Sequence, residues 1–508
     1  MKRFKSLFYF HDELFIPQKP FNEILGYSLE PLAPYDVYGY VEPDLLRTAS
    51  TQLKSGKIAF LVGPKNSGKS SSARYYVNRL LSSGTPVVAF IDFDVGQPEF
   101  TCPGMLSLHL ISGFLLSPPF HNVIKPHDHI KCLQRVFFGG ITPTDNPDYY
   151  LKCMQSIFAA YQELPQPRPT LVVNTMGWTQ GLGLTLLIEQ LFMIKPDQVV
   201  QLELGKQNLP ELSQEYLQSC KTFHSNELSN ETFHHNIFIV PSPAKVPVGI
   251  ELDRPYPKYR KSFGPPDHRD LTMASYLIGQ LADLMGSLPG SGPSGCPVLN
   301  HPADILVECI PYRVNVRCRE DASTFTLATH LLMPPTGSKF AQKALQNGPS
   351  MDMFSHRLAC INASLVALVT VPEGLLVKDS KNRLVELTSL PVCECVGLAF
   401  CRATDPDTGH IYLTTGLARK DLMKVNAILK GNFNIPQAFF VEQLALRKLN
   451  SQPNKYPPYT GPQKMSGPGT STLPSKRQYP KANYSSSSFN TGDARALDSG
   501  GVVKYRKN

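Results

Sequence analysis

Eight consecutive residues, Gly63-Pro64-Lys65-Asn66-Ser67-Gly68-Lys69-Ser70, fit the pattern G-x-x-x-x-G-K-[ST] at every fixed position. The chemistry of that pattern is phosphate binding. Gly63 and Gly68 admit backbone angles that bulkier residues resist, so the loop's N–H groups and the start of the following helix can converge on phosphate oxygens. The whole stretch through Ser71 is expected to cradle a nucleoside triphosphate such as ATP. Lys69 is expected to reach the β- and γ-phosphates, and the Ser70 hydroxyl to ligate Mg²⁺.

Some twenty residues on stand two carboxylates in Ile91-Asp92-Phe93-Asp94-Val95-Gly96-Gln97-Pro98. They follow an apolar run that reads as a buried strand, which places them at its carboxyl end, where open α/β sheets bind ligands. Phosphoryl transfer needs a carboxylate there, for Mg²⁺ or for the attacking hydroxyl. Strand alternation allows Asp92 and Asp94 to share a face. The competing reading for each is a carboxylate that merely caps a turn.

These groups need a scaffold, and the chain supplies a consistent one. Residues 57–63, 86–92, 170–174, 198–202 and 237–240 are short apolar runs of the kind buried parallel strands show. A helix is predicted over Lys69–Leu81. Strands alternating with helical stretches predict an α/β fold: a P-loop parallel sheet with helices on both faces, over residues 51–286. Residues 1–50 read as a lead-in, and the Gly/Pro/Ser-rich segment 287–297 as a linker. Short β-like runs at Val314–Val316, Leu365–Val371 and Val396–Phe400 predict a smaller β-rich C-terminal domain over 298–450. Residues 451–508 are poor in apolar side chains and rich in Lys and Arg, so they are predicted to be a disordered basic tail, either touching RNA, carrying a nuclear address, or simply solvated.

The bulk numbers agree with this division. A chain of 508 residues with 42% hydrophobic content is expected to hold two or three domains. The formal charge of +9 and pI near 8.9 lean toward a polyanionic partner, solubility being the plainer alternative. Eleven scattered cysteines without zinc-type spacing favour a reducing compartment. No secretory signal and no membrane-spanning run are read.

Taken together, the P-loop and D-x-D-x-G-Q resemble the polynucleotide 5′-hydroxyl kinases. Phe137-Phe-Gly-Gly-Ile-Thr142-Pro-Thr-Asp-Asn146-Pro147 resembles that family's clasp, and Asn174-Thr-Met-Gly177-Trp178 its N-T-x-G-W segment. Arg269-Asp-Leu-Thr-Met-Ala-Ser-Tyr276 resembles the end of its arginine-bearing lid. Gln97–Gly104 and Cys393–Arg402 are similar to the nucleolar, pre-ribosomal RNA-processing branch.

The resemblance implies roles. Lys69 and Ser70 would hold ATP and Mg²⁺, with Asp92 beside them. Asp94 and Gln97 match the family's D-x-x-Q, Asp94 orienting or deprotonating an RNA 5′-hydroxyl. Thr142 and Asn146 would clasp the substrate or the moving phosphate, unless they are plain turn residues. Trp178, the sole tryptophan, would stack on a base, unless it is core. Arg269, with Arg260 as a looser candidate, would stabilise charge on the γ-phosphoryl. The implied function is an ATP-dependent RNA 5′-OH kinase of internal-transcribed-spacer processing in the nucleus and nucleolus, working with an endonuclease subunit. Two alternatives are a nucleotide-binding scaffold with little catalysis and a small-molecule nucleoside kinase. The family usually carries a β-rich domain before the P-loop, and Gly63 stands too early to leave room for all of it.

Overall fold

The computed structural model describes residues 43–124, 127–204, 209–220, 234–241, 265–285, 309–315, 328–331, 358–379, 384–387, 390–432, 435–436 and 439. The lead-in before residue 43, the 287–297 linker, the tail and Arg260 lie outside them.

Five strands form a parallel core: β1 (Ile58–Val62), β2 (Val88–Asp92), β5 (Thr170–Asn174), β6 (Gln198–Glu203) and β7 (Asn236–Pro241), in the order β2-β5-β1-β6-β7. All five were legible as apolar runs, because strands covered on both faces carry almost no polar residue. In β1, Ala59 and Leu61 pack under α1 (Asp44–Gln52) and α2 (Lys69–Ser82), alongside Leu46, Ala73, Tyr76, Val77 and Leu80. Phe60 and Val62 point the other way, into a second core with α4 (Pro147–Gln162) and α5 (Leu182–Ile194).

Two strands that were not anticipated continue the sheet. β3 (Met105–Ile111) runs antiparallel to β2, and β4 (Ile130–Phe137) antiparallel to β3; the short helix α3 (Pro119–Asn122) lies between them. The sheet is therefore mixed, with a parallel heart. β4 then meets β13 (Glu394–Asp405) at the pair Val136↔Glu394. β13 pairs with β10 (Ser364–Thr370), and β10 with β15 (Ala427–Lys430). Strands from both sides of the expected linker thus belong to one sheet.

A shared core reinforces that join. Helix α7 (Pro265–Met285) buries Met273, Tyr276, Leu277 and Leu281 against Met105 and Phe137 on one side and Leu365, Val369, Leu398 and Phe400 on the other. Its backbone packs closely on two sides at one point: a Cβ on Gly279 would overlap Ile124, and one on Gly416 would overlap Gln280.

Candidate nucleotide and acceptor site

The P-loop closes where β1 ends. Gly63 has φ +155°, and a Cβ there would stand 2.6 Å from the Leu202 carbonyl oxygen and 2.7 Å from Ser67 Oγ. Gly68 is left-handed at φ 88° and directly precedes the first turn of α2. Both positions therefore require glycine. Lys69 is buried; its Nζ donates to the carbonyls of Gly63 (2.8 Å) and Pro64 (2.9 Å), curling back over the loop. Burial pushes its pKa down to about 8, against the pull of Asp94.

Asp92 is the last residue of β2 and fully buried. Oδ1 accepts from Asp94 N–H and Asn174 Nδ2, both at 3.1 Å, and Oδ2 accepts from Glu99 N–H at 2.6 Å. Burial and the neighbouring charge of Asp94 raise its pKa to about 8 in spite of those donors. Its carboxylate organises the turn that follows. Asp94 lies beyond the strand, so strand alternation does not place it. It heads an Asx turn instead, Oδ1 accepting from Gly96 N–H (2.9 Å) and Gln97 N–H (3.0 Å). The turn role does not remove Asp94 from the charged site: one oxygen shapes the loop, and the carboxylate still feels Lys69 and Arg269. Burial raises the Asp94 pKa, and those two cations with the Gln97 and Gly96 N–H groups oppose the rise. Arg269 sits in the first turn of α7, half-buried.

Glycines record how tightly the remaining segments meet. A Cβ on Gly177 would stand 2.8 Å from Lys65 Cα and 3.1 Å from Lys69 Nζ, so the N-T-x-G-W turn lies on the P-loop. A Cβ on Gly96 would stand 3.1 Å from the Ile141 carbonyl, so the aspartate turn lies against the clasp. Gly104 joins the same two segments, donating to Val95 O and accepting from the N–H groups of Phe138 and Gly139. Trp178 rests on Gly183, where a Cβ would overlap its ring, and is partly buried against the α4–α5 core. A narrow slot beside it is lined by Pro143, Tyr150, Met176 and Gln190.

The clasp residues prove to be partly structural. Asn146 Oδ1 accepts from Tyr149 N–H at 3.1 Å and caps α4, with Pro147 at the first helical position. Thr142 and Thr144 share a hydroxyl–hydroxyl bond at 2.8 Å. The structure thus brings the P-loop, Asp92, Asp94, Gln97 and Trp178 to one end of the sheet, and the clasp beside them. Sequence reasoning did not single out Tyr150, whose hydroxyl donates to the Phe93 carbonyl between the two aspartates at 2.6 Å. The available signal was a phenol on the otherwise apolar stripe Tyr150, Cys153, Met154, Ile157 of α4. Among the described residues no group of three His, Cys, Asp or Glu side chains could hold a metal ion, and no helix is long and apolar enough to cross a membrane.

A strand–loop–helix phosphate cradle with a carboxylate at the end of the next strand but one in the sheet defines a P-loop nucleotide-binding protein. The family described as mRNA cleavage and polyadenylation factor CLP1 P-loop matches residues 63–234. The human polynucleotide 5′-hydroxyl-kinase NOL9 is 26% identical over 413 residues, 77% of this chain and 51% of that protein. The Arabidopsis thaliana NOL9 kinase is 28% identical over 394 residues, 75% of this chain and 86% of that one. The solved Clp1p–Pcf11p complex superposes over 77% of each chain at 15% identity and TM-score 0.46, too distant to carry an argument. Over about three quarters of its length the chain is thus similar to proteins named polynucleotide 5′-hydroxyl-kinase. It spans about half the length of the human, bovine, zebrafish and mouse relatives that it matches.

Proposed function

We propose that this chain transfers the γ-phosphate of ATP to the 5′-hydroxyl of an RNA end. The observation that carries the reading is the pairing of Lys69, buried in the P-loop, with Asp94, whose carboxylate lies within the field of Lys69 and Arg269. A hydroxyl placed at Asp94 gives its proton to the carboxylate while its oxygen bonds to the γ-phosphorus. The bond from that phosphorus to the β–γ bridging oxygen breaks, leaving ADP and a 5′-phosphate. Lys69 and Arg269 offset the charge that spreads over the moving phosphoryl group. Gln97 borders the acceptor, its side-chain amide uncommitted among the described residues. Thr142 and Asn146 lie along the same approach, and Trp178 offers a ring for base stacking.

The Ser70 hydroxyl and Asp92 are hard oxygen donors of the kind Mg²⁺ takes, and Asp92 has a lone pair left on Oδ2. Bound there, the ion would neutralise phosphate charge and reverse the upward pull on the Asp92 pKa. Relatives named polynucleotide 5′-hydroxyl-kinase support the transfer reaction. The finer placement, in ribosomal RNA maturation within the nucleolus beside an endonuclease subunit, follows from the nucleolar branch that the chain resembles.

The test is label transfer from γ-labelled ATP to a 5′-OH RNA, with DNA and free nucleosides as competing acceptors. The wild type is expected to label the oligonucleotide, and Lys69→Ala and Asp94→Asn are expected to abolish labelling. Wild-type protein that binds ATP but labels nothing would overturn the reading in favour of a nucleotide-binding scaffold. Equal labelling of nucleosides would turn it toward a small-molecule kinase.

A further inference from the structure

Tyr150 is fully buried in α4, yet its hydroxyl is aimed at the peptide that joins the two site aspartates. It donates to the Phe93 carbonyl at 2.6 Å. A phenol has one proton, and that bond uses it. Gln190 stands on the wall of the same narrow slot as Tyr150. Gln190 is itself 3% exposed. Its Oε1 is buried and unpartnered among the described residues, and the residue lines the slot beside Trp178.

The Phe93 peptide is held from both sides. Its N–H donates to the Asn174 carbonyl at 3.0 Å, at the end of β5, and its carbonyl accepts from Tyr150 on α4. The plane from which Asp94 departs is thereby set by two separate elements. Asp94 itself is held by its N–H, which donates to Asp92 Oδ1 at 3.1 Å. Among the described residues its carboxylate bonds run to Gly96 and Gln97 within its own turn and move with it. Nothing in the proposed chemistry uses Tyr150 or Gln190, although both are buried polar groups whose desolvation is unfavourable.

We propose that Tyr150 is the positioning residue for Asp94: the Tyr150 hydroxyl and the Asn174 carbonyl grip the Phe93 peptide from two elements and so hold the acceptor-facing carboxylate in register with the P-loop. The assignment rests on the kinase reading of Asp94. It separates two things that a general loss of structure would not. The P-loop stands at the end of β1, away from Phe93, so ATP binding is expected to be independent of this brace, whereas the transfer step is not.

The experiment is Tyr150→Phe, which keeps the ring and its packing and removes the hydroxyl. At saturating ATP and 5′-OH RNA, kcat is expected to fall ~10-fold or more, since small misplacement of a reacting group is costly. The KM and Kd for ATP are expected to stay within about twofold, since ATP's cradle is untouched. Tyr150→Met, which also lacks the hydroxyl and packs adaptably in a core, is expected to show the same pattern, and it decides the question if Tyr150→Phe fails to fold. A kcat equal to wild type at a temperature where the variant is folded overturns the proposal. So does a fall in ATP affinity that keeps step with kcat, the outcome of a purely structural role. Absence of transfer by the wild type would remove the kinase reading and this assignment with it, whereas an active wild type with an equally active Tyr150→Phe removes this assignment alone.

Discussion

Gly177 has no side chain because the P-loop occupies the space one would take. Gly177→Ala would drive a methyl group to 2.8 Å from Lys65 Cα and 2.9 Å from Lys65 N, both backbone atoms that cannot swing away. Nucleotide affinity is expected to fall ~10-fold or more, while the overall fold is retained. Titration with a fluorescent ATP analogue, alongside far-ultraviolet circular dichroism, checks both halves of that statement. Legibility at this scale followed contiguity. The P-loop could be read because its eight residues are adjacent and do one job. Asp94 could be read because it follows a strand by two positions. Tyr150 could not, because its meaning depends on a carbonyl 57 positions away. The two roles of Asn146 were both visible as alternatives, and no spacing argument could choose between a cap and a clasp.

Helix α4 offers a way to separate those two roles. Asparagine, aspartate and serine are comparable helix caps, and alanine is not. Asn146→Ala is expected to cost about 1 kcal/mol of stability, measured by denaturant melts. Asn146→Asp should keep the cap and the melt, yet place a negative charge beside an incoming phosphoryl group. If Asn146 also clasps substrate, the aspartate variant loses transfer while remaining as stable as wild type; if it only caps, activity survives. Strand β3 carries a different signature. His109 is buried there, 4.9 Å from the Phe100 ring, and burial with the nearby Arg135 charge pushes its pKa down to about 3 from the ordinary 6.5. Between those values the unfolded chain binds a proton that the native one does not. Stability therefore rises with pH across that window and is fully present above it. Acidifying from pH 6.5 toward 5 is expected to destabilise the protein by up to about 1.4 kcal/mol per pH unit from this group, and His109→Phe to flatten that slope in melts at stepped pH. The same histidine helped to hide the strand. Ser107 and His109 break the apolar run, and Lys131, Gln134 and Arg135 break β4, so neither resembled the clean strands of the parallel heart.

Across the whole molecule, the sequence suggested two units on either side of a Gly/Pro-rich connection, and the sheet runs through both. Pairing between strands more than 250 positions apart leaves no local mark, which is why composition could register the change in texture at residue 298 and not the join. The seam is short but specific. Arg135 Nε and Nη2 donate to the Cys395 and Val396 carbonyls at 2.7 and 2.5 Å, and the Tyr149 hydroxyl lies within hydrogen-bond reach of both Phe137 O and Pro391 O, its one proton shared between them. Asn432 N–H reaches the Gly139 carbonyl in the clasp at 2.6 Å. Arg135→Met is expected to lower stability by roughly 2–4 kcal/mol, because two buried carbonyls lose a charged donor. Because the clasp hangs from the same seam, transfer is expected to weaken while ATP binding, at the far side of β2, persists. Parallel melts, nucleotide titrations and label-transfer assays on that variant read all three.

The seam at Val136↔Glu394 also decides how the chain behaves when its continuity is lost. A single cut engineered between residues 287 and 297 would leave the peptide bond as the only connection broken, and the two pieces should elute together. Prepared apart, each piece would expose a sheet edge and half of the core around Phe137 and Phe400, the condition under which β-proteins aggregate. Neither piece alone should phosphorylate anything, and mixing them should restore the reaction. The molecule is thus suited to complementation: its activity could be made to report on whether two separately expressed halves have met in the same cell.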